Sequence, residues 1–369
     1  MAKANVGVRQ GRWYWECRIT SGIPKRKRSD SHTEEPRGHV RMGWARREAT
    51  LDAPVGFDAY SYGIRDVAGQ KVFMSRPKDF FPPGVDIREG DVIGLEINLP
   101  SETLHRKVVE GNYNPAVDLE DDEKPNFVAA DIVRDRVPIR FKAHTYFEQI
   151  EYHSAKELEE LMNPSPVISS TGGLAGTPQE PGPTHPLPTL RTLPHSNIKI
   201  YKNGEPMGTP FTNLLAFLPP ASKPNLAQQQ AQLGAREGLD DGMLGYYPAV
   251  SVFRGGAAEV NFGPDFWFPP SGDHDDDDEV DMIGNDQPPV SRAVKARGVG
   301  ERFDEQIAED IVYDIIDEVD FWVQDGMVEG IIHGNGVSNG HGGSSGQGVL
   351  LSGGVIGSEG IKELVQDDE

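Results

Sequence analysis

The stretch Trp13-Tyr14-Trp15-Glu16-Cys17-Arg18-Ile19 constrains the fold of this chain more than any other. Trp13, Trp15, Cys17 and Ile19 alternate with Tyr14, Glu16 and Arg18, the period of two of a strand with one buried face. Two indoles on one side of a strand demand a thick apolar core and partner strands to share it. Strand-like patterns do recur, at 40–44, 72–74, 92–97, 139–143, 198–201, 247–253 and 258–264, separated by loops rich in Gly, Pro and Asp. That spacing predicts an antiparallel sandwich rather than a βα repeat. Lys202-Asn203-Gly204 after residues 198–201 is a hairpin signature, because Asn-Gly tolerates the positive φ of a type I′ turn. Cys17 shares the Trp13/Trp15 face and is expected as a buried thiol, not a nucleophile.

The 42 Gly and 29 Pro among 369 residues mean that much of the chain cannot pack. One main domain, residues 1–270, is expected, with loose insertions at about 163–194 and 218–242. Residues 271–300, with the run Asp273-His274-Asp275-Asp276-Asp277-Asp278-Glu279, read as an acidic linker that leaves the C-terminal segment free to move. Residues 301–323 read as a helix, and 324–369 as a disordered Gly-rich tail. On that helix Ala308, Ile311, Val312, Ile316, Val319 and Val323 fall within one arc, with Glu309, Asp310, Tyr313, Asp317 and Asp320 opposite. The stripe either packs back on its own sandwich or docks on another protein; a long tether before it and a Gly-rich tail after it favour docking. No apolar run approaches the ~20 residues that a membrane-spanning helix needs.

The net charge of -22 is unevenly distributed: residues 1–48 carry twelve Lys/Arg against five Asp/Glu, residues 271–329 four against nineteen. A basic front suits an acidic peptide or nucleic acid; an acidic back repels DNA and membranes. Lys25, Arg26, Lys27 and Arg28 form a short basic cluster, readable as a nuclear import signal, a phosphate contact or a solvated hairpin tip. No nucleophile elbow, Walker loop, dinucleotide fingerprint or paired Cys/His metal spacing is present. The chain is therefore read as non-catalytic, with no cofactor of its own.

Gly11-Arg12-Trp13-Tyr14-Trp15-Glu16, Arg41-Met42-Gly43-Trp44, Gly90-Asp91-Val92-Ile93-Gly94, Ile200-Tyr201-Lys202-Asn203-Gly204 and Tyr247-Pro248-Ala249-Val250-Ser251 together resemble the SPRY-domain family, a β-sandwich used in protein recognition. A narrower set is Ala53-Pro54-Val55-Gly56-Phe57-Asp58 with Ser61-Tyr62, Ile97-Asn98-Leu99-Pro100, Pro194-His195-Ser196 and Val260-Asn261-Phe262-Gly263-Pro264, ending in Phe268-Pro269-Pro270. It resembles the trithorax-group, absent-small-or-homeotic-discs type subunit of COMPASS, the complex that methylates histone H3 lysine 4. The low-complexity insertions suggest a fungal member. The resemblance implies an all-β, SPRY-type antiparallel β-sandwich with long disordered insertions and one C-terminal amphipathic helix.

By that resemblance, Arg41, Pro54, Phe57 (usually Tyr) and Arg65 form a pocket for an acidic segment of a β-propeller, retinoblastoma-binding type subunit. An arginine fork binds a carboxylate bidentately, at about 1.5 to 3 kcal/mol per charge-assisted bond. A second basic residue expected beside Arg65 is Val67 here. Ala308, Val312, Ile315 and Val319 would insert between the helices of a small dimeric subunit of the dumpy-30 type. The implied role is a non-catalytic scaffold in the nucleus, beside a SET-domain catalytic subunit, touching the nucleosome indirectly and no membrane. The family's N-terminal zinc-finger-like and winged-helix modules are not in this sequence, and a sandwich strand is expected before Met1. The alternative is a generic SPRY recognition module such as a ubiquitin-ligase substrate adaptor, though neither a cullin-recruiting box nor a RING spacing is visible. A secreted sugar-binding lectin is a third use of such a sandwich.

Overall fold

In a computed structural model, the described residues are 1–25, 38–118, 136–141, 144–149, 158, 161, 181–222, 240, 242–270, 296–334 and 362–363. In chain order the elements are β1 (Ala2–Lys3), β2 (Gly11–Ser21), β3 (His39–Arg46), β4 (Ser61–Arg65), β5 (Lys71–Phe73), β6 (Arg76–Lys78), β7 (Val92–Leu99), α1 (Glu102–Glu110), β8 (Arg136–Phe141), β9 (His144–Gln149), β10 (Asn197–Lys202), β11 (Glu205–Thr212), β12 (Tyr246–Phe253), β13 (Ala257–Asn261), β14 (Arg297–Gly298), α2 (Val299–Gly334) and β15 (Lys362–Glu363). One sheet runs β1-β12-β3-β4-β5-β6; the other runs β11-β10-β7-β2-β13, with β14 parallel to β2. A separate small sheet joins β15, β8 and β9.

The two large sheets bury one core between them. From β2 it takes Trp13, Trp15, Cys17 and Ile19; from β3 Val40, Met42 and Trp44; from β7 Ile93, Leu95 and Ile97. Trp15 and Trp44 meet edge to face at 6.3 Å between ring centroids, a geometry that adds about 0.5–1.5 kcal/mol beyond the area buried. The fold is thus all-β, two antiparallel sheets face to face, with a C-terminal helix.

The other face of β2 departs from the expected pattern. Tyr14 and Glu16 are as buried as the tryptophans. Residues 266–268 fold back over this outer face: the N–H groups of Trp267 and Phe268 each donate to Glu16 at 2.7 Å, and the Tyr14 hydroxyl donates to the Phe268 carbonyl at 2.8 Å. Period two in the sequence marks which residues share a face, not whether the second face is covered.

Asn203 and Gly204, at φ 53° and 84°, make the expected hairpin turn between β10 and β11. Helix α1 was not expected. Its local signals are short: Ser101 Oγ accepts from the Leu104 N–H at 3.2 Å at one end, and Gly111, at φ 83°, closes the other.

The insertions are smaller than expected. Residues 181–194 pack, with His185, Leu190 and Leu193 buried; so do Leu218, Ala221, Ser222 and Asp240. Residues 163–180, 223–239 and 241 lie outside the described residues. The outward edge of β12 is bonded by Ala4 N–H to the Pro248 carbonyl and by Val8 to Tyr246.

The expected linker and helix also need correction. Of residues 271–300, the last five are described and seated on the sandwich. Arg297 and Gly298 pair with Trp13 and Tyr14. The Arg297 guanidinium lies 4.4 Å from the Trp13 ring centroid, Val299 enters the core, and Gly300 N–H donates to the Phe262 carbonyl at 2.8 Å. These contacts fix the helix start, where free movement was expected. Helix α2 runs on to Gly334, since isolated glycines such as Gly326 and Gly330 weaken a helix without ending it. Most of the expected tail, 335–361 and 364–369, lies outside the described residues. No described helix is long and apolar enough to cross a membrane.

Candidate functional site

Pairing of β12, β3 and β4 places Ser251 opposite Arg41, and Arg41 opposite Arg65, so the three side chains share the outer face of the first sheet. Two residues further along, the same face is bare at Gly43 and Gly63. The loop carrying Pro54 to Phe57 lies there: a Cβ built on Gly63 would stand 3.1 Å from Val55 Cγ1, and Val55 N–H donates to Ser251 Oγ at 2.9 Å. Gly56, at φ +80°, passes so close to Val72 that an added Cβ would lie 2.5 Å from the Val72 carbonyl oxygen. Phe57 is 43% exposed at the end of this loop. Arg41, Pro54, Phe57 and Arg65 are therefore brought to one outer face.

The electrostatics of the arginine pair are unusual. Among the described residues neither guanidinium has a hydrogen bond or an ion pair, and Arg65 Nε is buried without a partner. Burial, then the charge of Arg65, lower the Arg41 pKa from its ordinary value, against a smaller upward pull from Asp66. Asp66 does not neutralise the pair, because its carboxylate is already engaged by the Val40 N–H at 3.2 Å, the Val67 N–H at 2.9 Å and the His39 ring at 3.1 Å. Two half-buried like charges held side by side are an incomplete arrangement that an incoming carboxylate would complete. Val67 is 38% exposed and adds no charge.

Helix α2 presents the second candidate surface. Its side toward the sandwich is polar: Arg302 and Gln306 are buried, and Asp310 and Tyr313 half-buried. Gln306 reads the backbone of the first segment in both directions, donating to the Asn5 carbonyl at 3.1 Å and accepting from the Gly7 N–H at 3.3 Å. The apolar side faces away. Ile311, Val312, Ile315 and Val319 are 54–57% exposed, and Ala308 is exposed too. What packs on the sandwich is the polar face, not the stripe.

The basic cluster is described only at Lys25, which is exposed; Arg26, Lys27 and Arg28 lie outside the described residues. Among the described residues no group of three or more His, Cys, Asp or Glu could hold a metal ion. Cys17 is buried, and burial pushes its thiol pKa up to about 12. Sequence reasoning passed over Ser251 and Gln306. Ser251 is signalled only by its pairing with Arg41, and Gln306 only by lying on the polar face opposite the apolar stripe.

No protein-family model matches the chain. It is similar to curated fungal and animal proteins. It is 63% identical over 378 residues to a protein of Colletotrichum higginsianum named COMPASS component cclA, spanning all of this chain and 64% of that one. It is 38% identical over 324 residues to the Schizosaccharomyces pombe Set1 complex component ash2, spanning 87% of this chain and 37% of that one. It is 26% identical over 270 residues to a Drosophila melanogaster protein named Set1/Ash2 histone methyltransferase complex subunit ASH2, spanning 73% of this chain and 32% of that one. The chain thus spans less than two thirds of each of these relatives.

Proposed function

We propose that this chain is a non-catalytic scaffold subunit of a COMPASS-type histone H3 lysine 4 methyltransferase complex, built on a SPRY-type sandwich and acting in the nucleus. The similarity to proteins named as components of such complexes supports the assignment. The observation that carries it is α2, a helix that turns its polar face to its own sandwich and leaves Ala308, Val312, Ile315 and Val319 in solvent. Exposing that stripe costs free energy unless a partner covers it, and a broad stripe suits the cleft between two helices of a small dimeric subunit better than one helix. Arg41 and Arg65, without acidic partners among the described residues, support the second half of the reading: an acidic segment of a propeller subunit binds there, with Pro54 and Phe57 as its wall. Methyl transfer and its methyl donor belong to a separate SET-domain catalyst. The scaffold favours the catalyst's active arrangement by binding that state more tightly than the inactive one.

Reconstitution of the complex tests both contacts. The variant carrying Val312→Glu and Ile315→Glu should no longer pull down the dumpy-30-type dimer, since each change places a charge on an apolar contact. Retained pull-down refutes the helix assignment. Arg41→Ala with Arg65→Ala should lower stimulation of the SET-domain catalyst at least about tenfold, and undiminished stimulation refutes the pocket.

A further inference from the structure

On the outer face that carries Arg41 and Arg65, the next cross-strand row is Phe253 opposite His39. Phe253 is 62% exposed. It lies on the side of the arginine row away from the loop of Pro54 to Phe57, so the register sets the arginine row between that loop and an aromatic residue. Arg254, held at φ 51°, sets its guanidinium 5.2 Å from the Phe253 ring centroid. His39, opposite Phe253, is engaged by Asp66 at 3.1 Å.

A surface that only collected negative charge would need cations alone. Here a large apolar face stands beside half-buried cations, which favours a ligand that offers both a carboxylate and an apolar side chain. The spacing defines how. Phe253 is a diagonal cross-strand neighbour of Arg41, and such positions lie about 7–8 Å apart. Side chains on one face of an extended peptide recur every two residues, roughly 6.8 Å.

We propose that Phe253, with Arg254 stacked on it, is the far wall of the acidic-segment site and accepts an apolar side chain two residues from the acid that meets Arg41. The recognised chemistry is acid-x-apolar, in either direction, on an extended peptide. This rests on the reading of Arg41 and Arg65 as the carboxylate site.

Fluorescein-labelled synthetic peptides separate the two claims by anisotropy. Each carries a single acidic residue followed by Ser-Leu, by Leu-Ser or by Ser-Ser, and each is also made in the reverse order. The protein should prefer the peptide with leucine two residues from the acid by roughly five- to tenfold over its serine counterpart. Phe253→Ala should reduce that preference to under about twofold while leaving the Ser-Ser affinity unchanged, and Phe253→Tyr should keep it. If the preference is missing in the unaltered protein, or survives Phe253→Ala, the inference is overturned. The double variant Arg41→Ala with Arg65→Ala should weaken every peptide at least about tenfold. If it weakens none, the carboxylate reading itself falls. If it weakens all of them while Phe253→Ala keeps the leucine preference, only the role of Phe253 falls.

Discussion

Cys17 lies at the centre of the β2 face that also carries Trp13 and Trp15, and no described polar group offsets the burial that holds its thiol near pKa 12. At pH 8 that value leaves a thiolate fraction about a thousandfold below that of a free cysteine, before accessibility is counted. A disulfide reagent should therefore label the native protein negligibly and label it fully in denaturant; fast native labelling would mean that the core opens at β2. Gly94 is a second residue on which the fold depends. A Cβ there would stand 2.0 Å from the Tyr14 hydroxyl oxygen, which is itself bonded to the Phe268 carbonyl. Gly94→Ala must displace a buried tyrosine and should cost about 1–3 kcal/mol in urea unfolding. Residues of this kind were legible only in part. The burial of Cys17 follows from alternation along one strand, whereas the need for glycine at 94 arises from Tyr14 on the neighbouring strand, 80 positions away in sequence.

Helix α2 was legible in its pattern and not in what holds it. Its apolar stripe was legible, because a period near 3.6 is written locally. An outward stripe was favoured only on the expectation of a free tether; what fixes its orientation was not legible, since the contacts join Gln306 to Gly7 and Asn5, 299 and 301 positions apart. Helix α1 escaped notice for the opposite reason: nine residues between strands are too few for a periodic pattern to stand out, and only its caps mark it. The Gln306 contact is testable on its own. Gln306→Ala leaves a buried Gly7 N–H without its acceptor, at a cost of about 1–3 kcal/mol, and an isolated helix end is marginal in water. Amide exchange over residues 299–310 should accelerate by roughly tenfold or more, while binding to the exposed stripe is retained because Val312 and Ile315 are untouched. Unchanged exchange would show that β14 and Val299 alone hold the helix.

Arg9 ties together three parts of the chain that no local pattern relates. Its guanidinium bonds Glu102, in the first turn of α1, at 2.8 Å, and Asp240, at the end of the second insertion, at 2.5 Å; Arg9 and Asp240 are both over nine-tenths buried. The insertion was expected to be loose because its composition is polar, and composition cannot reveal that one of its carboxylates is the counter-ion of a buried arginine 231 positions earlier. Burial disfavours ionised Asp240, but the hydrogen bonds and charge of Arg9 outweigh it, so its pKa lies below the ordinary carboxylate value. A depressed folded pKa contributes stability that is complete above the unfolded value of about 3.9 and is lost as pH falls through the folded value. Asp240→Asn removes that contribution and leaves Arg9 with Glu102 alone, at a cost of about 3 kcal/mol at pH 7, the low end for breaking a buried pair. The gap in unfolding free energy between the unaltered protein and Asp240→Asn should thus be largest at neutral pH and narrow steadily below about pH 4. Carboxylates remote from Arg9 titrate alike in both proteins and cancel in the difference. A gap that stayed constant down to the acid unfolding transition would mean that Asp240 contributes by packing rather than by its charge, and the tie through Arg9 would rest on Glu102.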